Sequence, residues 1–313
     1  MGLGRGIAAV SRRTVLVVLV VLVLAGCRKE PEVIPGNDAP PYDAVPTLLV
    51  RNYVNRLYID LIGREPLNTE MEADVAFLRS GDLGQQVRQN LVLRLMTDSS
   101  WLDGDSSYAH AYNRRQYELF KSRLLEGASD EVIDWFIGQA LQQALADSLS
   151  GNTGGLSAAN AAVEDLRNVK RIPQQYRAGL VGMAEVHRRL VMNAVYDQIH
   201  MNAFNYVHAT FDNLLFRAPT NAEFTTAYAM VEHATPGVLF GQEGASKGAY
   251  AAIMTGSSEY MEGMVRWCYQ TFLGRLPTTG ELYAILPGFQ LDQDLRRVQR
   301  QLFTSDEYAG FGQ

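Results

Sequence analysis

Apolar positions along this chain fall into three regimes. Val15 to Leu24 is an unbroken run of Val and Leu, shorter than the roughly 20 residues that a membrane-spanning helix needs. Residues 28–46 carry Pro31, Pro35, Pro40, Pro41 and Pro46, which forbid a helix and favour extended chain. From residue 47 the period becomes helical: Val50, Val54, Leu57 and Leu61 step by four, three and four and share one helix face. Strand-like alternation is scarce. Ser, Gly, Asn and Thr cluster at 148–155 and predict a loop. The run from Met183 to Phe216 has no Pro or Gly and predicts one long helical stretch. The expected fold class is all-α, a multi-helix array that follows a leader and an extended tether.

A motif recurs three times within the helical part. Its copies are Tyr53-Val54, Tyr58, Leu61-Ile62, Arg64, Pro66, Glu70; then Tyr206-Val207, Phe211, Leu214-Leu215, Arg217, Pro219, Glu223; then Val265, Tyr269, Phe272-Leu273, Arg275, Pro277, Glu281. The intervals from aromatic to Arg to Pro to Glu are the same in each. A second marker follows each copy: Asp98-Ser99-Ser100-Trp101, Ser257-Ser258-Glu259-Tyr260 and Ser305-Asp306-Glu307-Tyr308. Recurrence at this scale means one supersecondary unit used several times. Aromatic and aliphatics at i, i+3 and i+4 form an apolar stripe. Gly63 and Gly274 suit the left-handed residue that ends a helix, and the Pro two residues after the Arg prevents continuation. Thr220-x-x-Glu223 and Thr278-x-x-Glu281 match capping boxes, so a new helix starts at once. Each unit reads as helix, sharp turn, helix, with the marker's Tyr or Trp packed back on the first helix. Phe216 replaces the Gly in the second copy, so a different turn is expected there.

Leu273-Gly274-Arg275-x-Pro277 with Ser305-Asp306-Glu307-Tyr308 resembles a helical repeat of unknown function in bacterial surface and secreted proteins, itself similar to phycobilisome linker domains. Leu61-Ile62-Gly63-Arg64-Glu65-Pro66 also resembles the opening of a cytochrome-associated domain of unknown function in exported bacterial proteins. These resemblances imply a helical unit and carry no catalytic residue with them.

The N-terminus adds an address. Arg5, Arg12 and Arg13 precede the apolar run, and Leu24-Ala25-Gly26-Cys27 follows it. A basic start, a short apolar stretch and small residues at the cut are the parts of a secretory signal. The tetrad resembles the lipobox of bacterial lipoproteins, which implies cleavage before Cys27, lipidation of its thiol and a membrane anchor. The expected organisation is a signal peptide at 1–26, lipidated Cys27 with a Pro-rich tether at 27–46, helical regions at 47–147 and 156–262, and the third repeat at 263–313. Arg28-Lys29-Glu30 places no Asp directly after Cys27. By resemblance to lipoprotein sorting, that implies the outer membrane rather than the inner, with the cell surface as a further destination.

Charge narrows the partners. The chain has a formal charge of −6, and loss of the leader removes three Arg and no acid, giving −9. An acidic body without a basic block argues against nucleic acid. With Cys27 lipidated, Cys268 is the one thiol left and no intramolecular disulfide is expected.

Candidate chemistry is sparse. No Ser nucleophile is assigned, the one Gly-x-Ser-x-Gly spacing being Gly244-Ala245-Ser246-Lys247-Gly248; there is no phosphate loop after Gly151–Gly155, and no zinc-ribbon or haem-attachment spacing. Gly241-Gln242-Glu243-Gly244 reads as a surface loop. Asp197, His200 and His208, with Glu185 and His187 upstream, would share one face of a continuous helix, an approximate version of the Glu-x-x-His pair of di-iron bundles. A second such pair is missing. Arg64, Arg217 and Arg275 have two readings: helix C-terminal caps that complement the dipole, or contacts for a carboxylate or phosphate. No cofactor, metal site or catalytic residue is assigned, and lipidation at Cys27 is the one site. The expected function is a non-enzymatic, membrane-anchored scaffold with an envelope protein as partner. The alternatives are a lipid-anchored binder of a glycan or other extracellular ligand and, weaker, a metal-dependent enzyme or redox-complex subunit.

Overall fold

The computed structural model describes residues 45–311. Cys27, the leader and nearly all of the tether therefore lie outside the described residues. The described residues fold into sixteen helices and one two-stranded hairpin, an all-α array as the periodicity implies.

The first repeat supplies α1 (Thr47–Leu61), α2 (Asn68–Ser80) and α3 (Gln85–Thr97), and leads into α4 (Tyr108–Leu124). A helical pair follows, α5 (Asp130–Ser150) and α6 (Thr153–Lys170), then the short α7 (Ile172–Arg177). Three brief helices come next: α8 (Met183–Val191), α9 (Ala194–His200) and α10 (Ala203–Leu215). The second repeat continues through α11 (Asn221–His233), strands β1 (Gly237–Leu239) and β2 (Gln242–Gly244), and α12 (Lys247–Gly256). The third spans α13 (Ser258–Leu273), α14 (Thr279–Asp292), α15 (Leu295–Phe303) and α16 (Asp306–Ala309).

The expected long helix at 183–216 is three helices. Asn193 and Asn202 interrupt it by capping. The Asn193 side chain accepts from the backbone N–H of Val195 and Tyr196, and Asn202 accepts from Asn205. Asn competes for backbone donors in this way and starts helices better than it continues them. Met201 takes a positive φ of 56° at the second break. The loop expected at 148–155 contracts to a two-residue turn: Gly151 ends α5 in the left-handed region, and the Asn152 side chain accepts from Gly155 to start α6. Gly241-Gln242-Glu243-Gly244 is half of the β hairpin, with Phe240 and Gly241 both at positive φ, the pattern of a tight hairpin turn.

Each repeat runs helix, turn, helix, helix, and its closing N-cap opens one more helix. Ser107, Ser257 and Ser305 are those caps. The second and third units overlap, since α13 closes one and opens the other. In the first unit the N-cap is Ser107 rather than the Asp98-Ser99-Ser100-Trp101 marker. Trp101 is 79% exposed and does not pack back on α1; the aromatic that does is Tyr108, 6.0 Å from the Tyr58 ring. The other two marker tyrosines also reach beyond their own unit. Tyr260 bonds His187 of α8, and Tyr308 donates to Asp60 of α1 at 2.7 Å.

The turn of the second unit matches its fellows despite Phe216. Phe216 adopts φ 58° as a left-handed C-cap, as Gly274 does at φ 70°, and Gly63 takes φ 87° one residue past the C-cap Ile62. A non-glycine residue pays about 1–2 kcal/mol for that conformation. The guanidinium of Arg123 stacks on the Phe216 ring at 4.5 Å, a contact that glycine could not offer.

One apolar core runs through all three units, from Val50 in α1 to Tyr308 in α16. It is closest where α13 crosses α10: a Cβ added at Gly263 would lie 1.9 Å from the Leu214 carbonyl oxygen. The two ends of the body meet. Tyr53 of α1 donates to the Phe303 carbonyl at 3.0 Å, 250 residues away, and Arg56 donates to the carbonyls of Tyr308 and Phe272.

Candidate functional site

The recurring arginines form the same clasp three times. Arg275 holds Glu281 with both terminal nitrogens at 2.9 and 2.6 Å and Glu307 through Nε and Nη2, both at 2.6 Å. Its remaining N–H goes to the Leu276 carbonyl. Arg217 does the same with Glu223 at 2.8 and 2.7 Å, with Glu259, and with the Ala218 carbonyl. Arg64 holds Glu70 at 2.7 and 2.8 Å, the Glu65 carbonyl, and Asp105 at 2.8 Å. The motif aromatic lies beneath each guanidinium: Tyr58 at 5.6 Å, Phe211 at 5.1 Å and Tyr269 at 5.1 Å.

This geometry explains the motif spacing. The Arg leaves the C-terminus of one helix, grips the third residue of the next, and pins the start of the helix that closes the unit. Bidentate Arg–carboxylate pairing fixes orientation as well as distance. The five donors of Arg217 and Arg275 are all engaged inside the fold, so neither faces an outside carboxylate or phosphate. Nor do they cap the preceding helix as expected: their one carbonyl acceptor belongs to the residue that follows. The capping glutamates do double duty, because Glu223 and Glu281 also accept from the backbone of Thr220 and Thr278.

The clasps are acid-sensitive. Hydrogen bonds from Arg217 bring Glu223 down to about 2, and Arg275 brings Glu281 down to about 2. A carboxylate whose folded-state pKa is depressed adds stability that is complete above its unfolded value near 4.5. That contribution disappears as the pH falls toward 2. Both groups are partly solvated, so each contributes about 1 kcal/mol or less. Between pH 7 and pH 2.5, a Glu223→Gln/Glu281→Gln double variant is expected to lose less melting temperature than the parent. Parallel pH profiles would show that the clasps carry no pH-dependent stability.

The histidines do not assemble. Asp197 and His200 lie on α9 and His208 on α10, so the cap at Asn202 removes their common face. Asp197 pairs with Lys247. His200 packs on Tyr196 at 4.2 Å, and burial lowers its pKa. His208 sits between Phe204 at 4.7 Å and Phe224 at 5.0 Å. Glu185 is held by Arg188 and Arg189. His187 is buried with Nδ1 at 3.0 Å from the Met183 carbonyl and 2.9 Å from the Tyr260 hydroxyl; burial takes its pKa down to about 4. Among the described residues no three His, Cys, Asp or Glu side chains converge as a metal site. Cys268 is buried, and burial pushes its thiol up.

Two surface features remain. A groove of about 530 Å³ lies between α3 and α15, lined by Gln85, Gln89, Asn90, Arg297, Arg300 and Gln301 among others. Amides and guanidinium groups offer hydrogen bonds to a hydroxyl- or carboxylate-bearing ligand. The second feature is the α5–α6 hairpin, whose outer face carries exposed Trp135, Leu141, Leu145 and Leu149. Neither was visible in the sequence, since exposure and the pairing of α3 with α15 across two hundred residues leave no local pattern.

No family model matches the chain, and neither a curated protein nor a solved structure matches it.

Proposed function

We propose that this protein is a non-enzymatic lipoprotein, held at the membrane through Cys27, whose helical body is an interaction scaffold at the bacterial cell envelope. The observation that carries this reading is the use made of the repeated polar residues. The arginines, capping glutamates and buried histidine that recur or stand out are engaged in bracing one helix against another. A body braced in this way holds its outer faces in fixed relation, which is what a scaffold requires. The leader, the lipobox-like tetrad and the Pro-rich spacer supply the anchor, with the outer membrane as its destination. Replacing Cys27 by Ser is expected to move the protein from the membrane fraction to the soluble fraction. A variant that still sediments with membranes overturns the anchored reading.

The groove between α3 and α15 favours a second reading, a lipid-anchored binder of a glycan or other extracellular ligand. Retention of an acidic oligosaccharide by the purified protein, abolished by Arg300→Glu, would select it over the scaffold.

A further inference from the structure

The α5–α6 hairpin departs from the rest of the body in its charge. From Trp135 to Val163, 29 residues, the only ionisable side chain is Asp147, in a chain where one residue in five is charged. Asp147 is itself buried, accepting from Gln143 at 3.0 Å and Asn152 at 2.8 Å. The base of the hairpin is tied to the body by charge and packing: Asp130 meets Lys121, and Ile133 and Leu166 belong to the common core. Beyond Phe136 and Ile137 that attachment ends. Ala144, Ala159 and Val163 are buried but lie outside the core, in the seam between the two helices. The free length from Gly138 to Ser150 is about 20 Å at 1.5 Å per residue.

The exposed residues of this free length are apolar or neutral. Trp135 is 59% exposed, Leu145 61% and Leu149, next to the tip, 81%. With Gly138 and Leu141 they form one stripe along α5 at helical spacing. A helix that is apolar on more than one side needs cover on more than one side. A protein partner covers one face and leaves the others in water, where charged residues normally sit. Here no face of the distal hairpin carries a charge. That pattern fits an environment that penalises charge all round, the boundary between lipid headgroups and acyl chains. Trp135 at the base and Leu149 at the tip follow the depth order of that boundary, where Trp favours the headgroup level. The body is acidic, and an uncharged contact gives anionic headgroups nothing to repel.

We propose that the distal α5–α6 hairpin, Trp135 to Val163, inserts its tip into the lipid surface that carries the anchor. The inference rests on the lipid-anchored reading above. Seventeen residues separate Cys27 from Val45, so the start of the body stays within about 60 Å of the anchored residue even at full extension. Tethering at that range raises the effective concentration of the hairpin at the membrane, and a weak second contact becomes stable.

The test uses the intact lipoprotein in phosphatidylcholine vesicles. Cys268 is buried and Cys27 is acylated, so a Leu149→Cys variant offers one reactive thiol for an environment-sensitive nitrobenzoxadiazole label. A Tyr283→Cys variant, exposed on α14, gives the control. The tip label is expected to shift to the blue and to be quenched by nitroxide-bearing lipid, while the control label keeps its spectrum in water. Adding Leu145→Glu is expected to abolish the quenching and leave flotation intact. Protein that floats with its tip label in water overturns the insertion and leaves the anchor standing. A tip label shielded from water but untouched by nitroxide lipid, with shielding that rises with protein density, also overturns it and points to a second copy as the cover. Protein that does not float at all sinks both the anchor and the insertion.

Discussion

Gly263→Ala is expected to destabilise the protein by about 3 kcal/mol or to prevent folding, the upper end of what overpacking a core costs. The added methyl has no side chain to push aside. Besides the Leu214 carbonyl oxygen at 1.9 Å, it meets the Leu214 carbonyl carbon at 2.9 Å and the Leu215 Cα at 3.3 Å. All three are backbone atoms of α10, so α13 and α10 must separate for the methyl to fit. That separation would pull Arg217, just beyond α10, away from Glu259 in the first turn of α13. The same substitution at Gly138 on α5 meets nothing within 4 Å and is expected to stabilise by about 0.5–1 kcal/mol through helix propensity. Urea unfolding of both variants is the measurement. A Gly263→Ala protein as stable as the parent would show that the crossing is looser than its geometry implies.

Asp74→Ala is expected to cost about 2–3 kcal/mol, below the range for breaking a fully buried ion pair because Arg94 is partly exposed. Asp74 of α2 is 1% exposed. It accepts from the Tyr58 hydroxyl of α1 at 2.9 Å and pairs with Arg94 of α3, so one carboxylate ties the three helices of the first unit together. Its loss leaves the Tyr58 hydroxyl with the Tyr108 hydroxyl, at 3.1 Å, as its remaining partner and Arg94 without its counter-charge. Tyr58→Phe removes only one neutral partner and should cost about 1 kcal/mol. A double-mutant cycle between the two isolates their coupling. A loss below 1 kcal/mol for Asp74→Ala would mean that water replaces the carboxylate and that the unit is held by its apolar stripe alone.

The helices were legible because their signals are local. The stripe at Val50, Val54, Leu57 and Leu61 is buried as its period implies, and Thr220 and Thr278 open helices through the capping boxes that their Glu partners spell out. The Arg clasp was hidden because its partners are distant in sequence. The Arg clasp needs Glu259 or Glu307, 42 and 32 residues downstream, so Arg at a helix end looked like a cap. The signal that could have revealed it was present: the second marker repeats in step with the Arg and carries an acid in the later copies. In the first copy the acid is Asp105, which precedes its helix, and the extra chain around Trp101 hid the equivalence of Ser107. Asn193 and Asn202 misled in another way. An Asn poised to cap the next helix stops the one before it even where Pro and Gly are absent. The surface features had no such signal, since a charge-free interval becomes a candidate contact only once the hairpin is known to stand clear of the core.

The meeting of the two ends has a kinetic side. Ribosomes deliver α1 first, yet Tyr53 has no carbonyl to bond until Phe303 has been made, and Asp60 waits for Tyr308. A chain built this way closes late: its first helix stays incompletely buried until Phe303 and Tyr308 have been made, and the segment that carries them acts as the latch. Lengthy delay before closure exposes apolar surface to aggregation, but it also keeps the polypeptide threadable. Under the export that we propose, a latch made this late would hold the molecule open until it has passed the translocon.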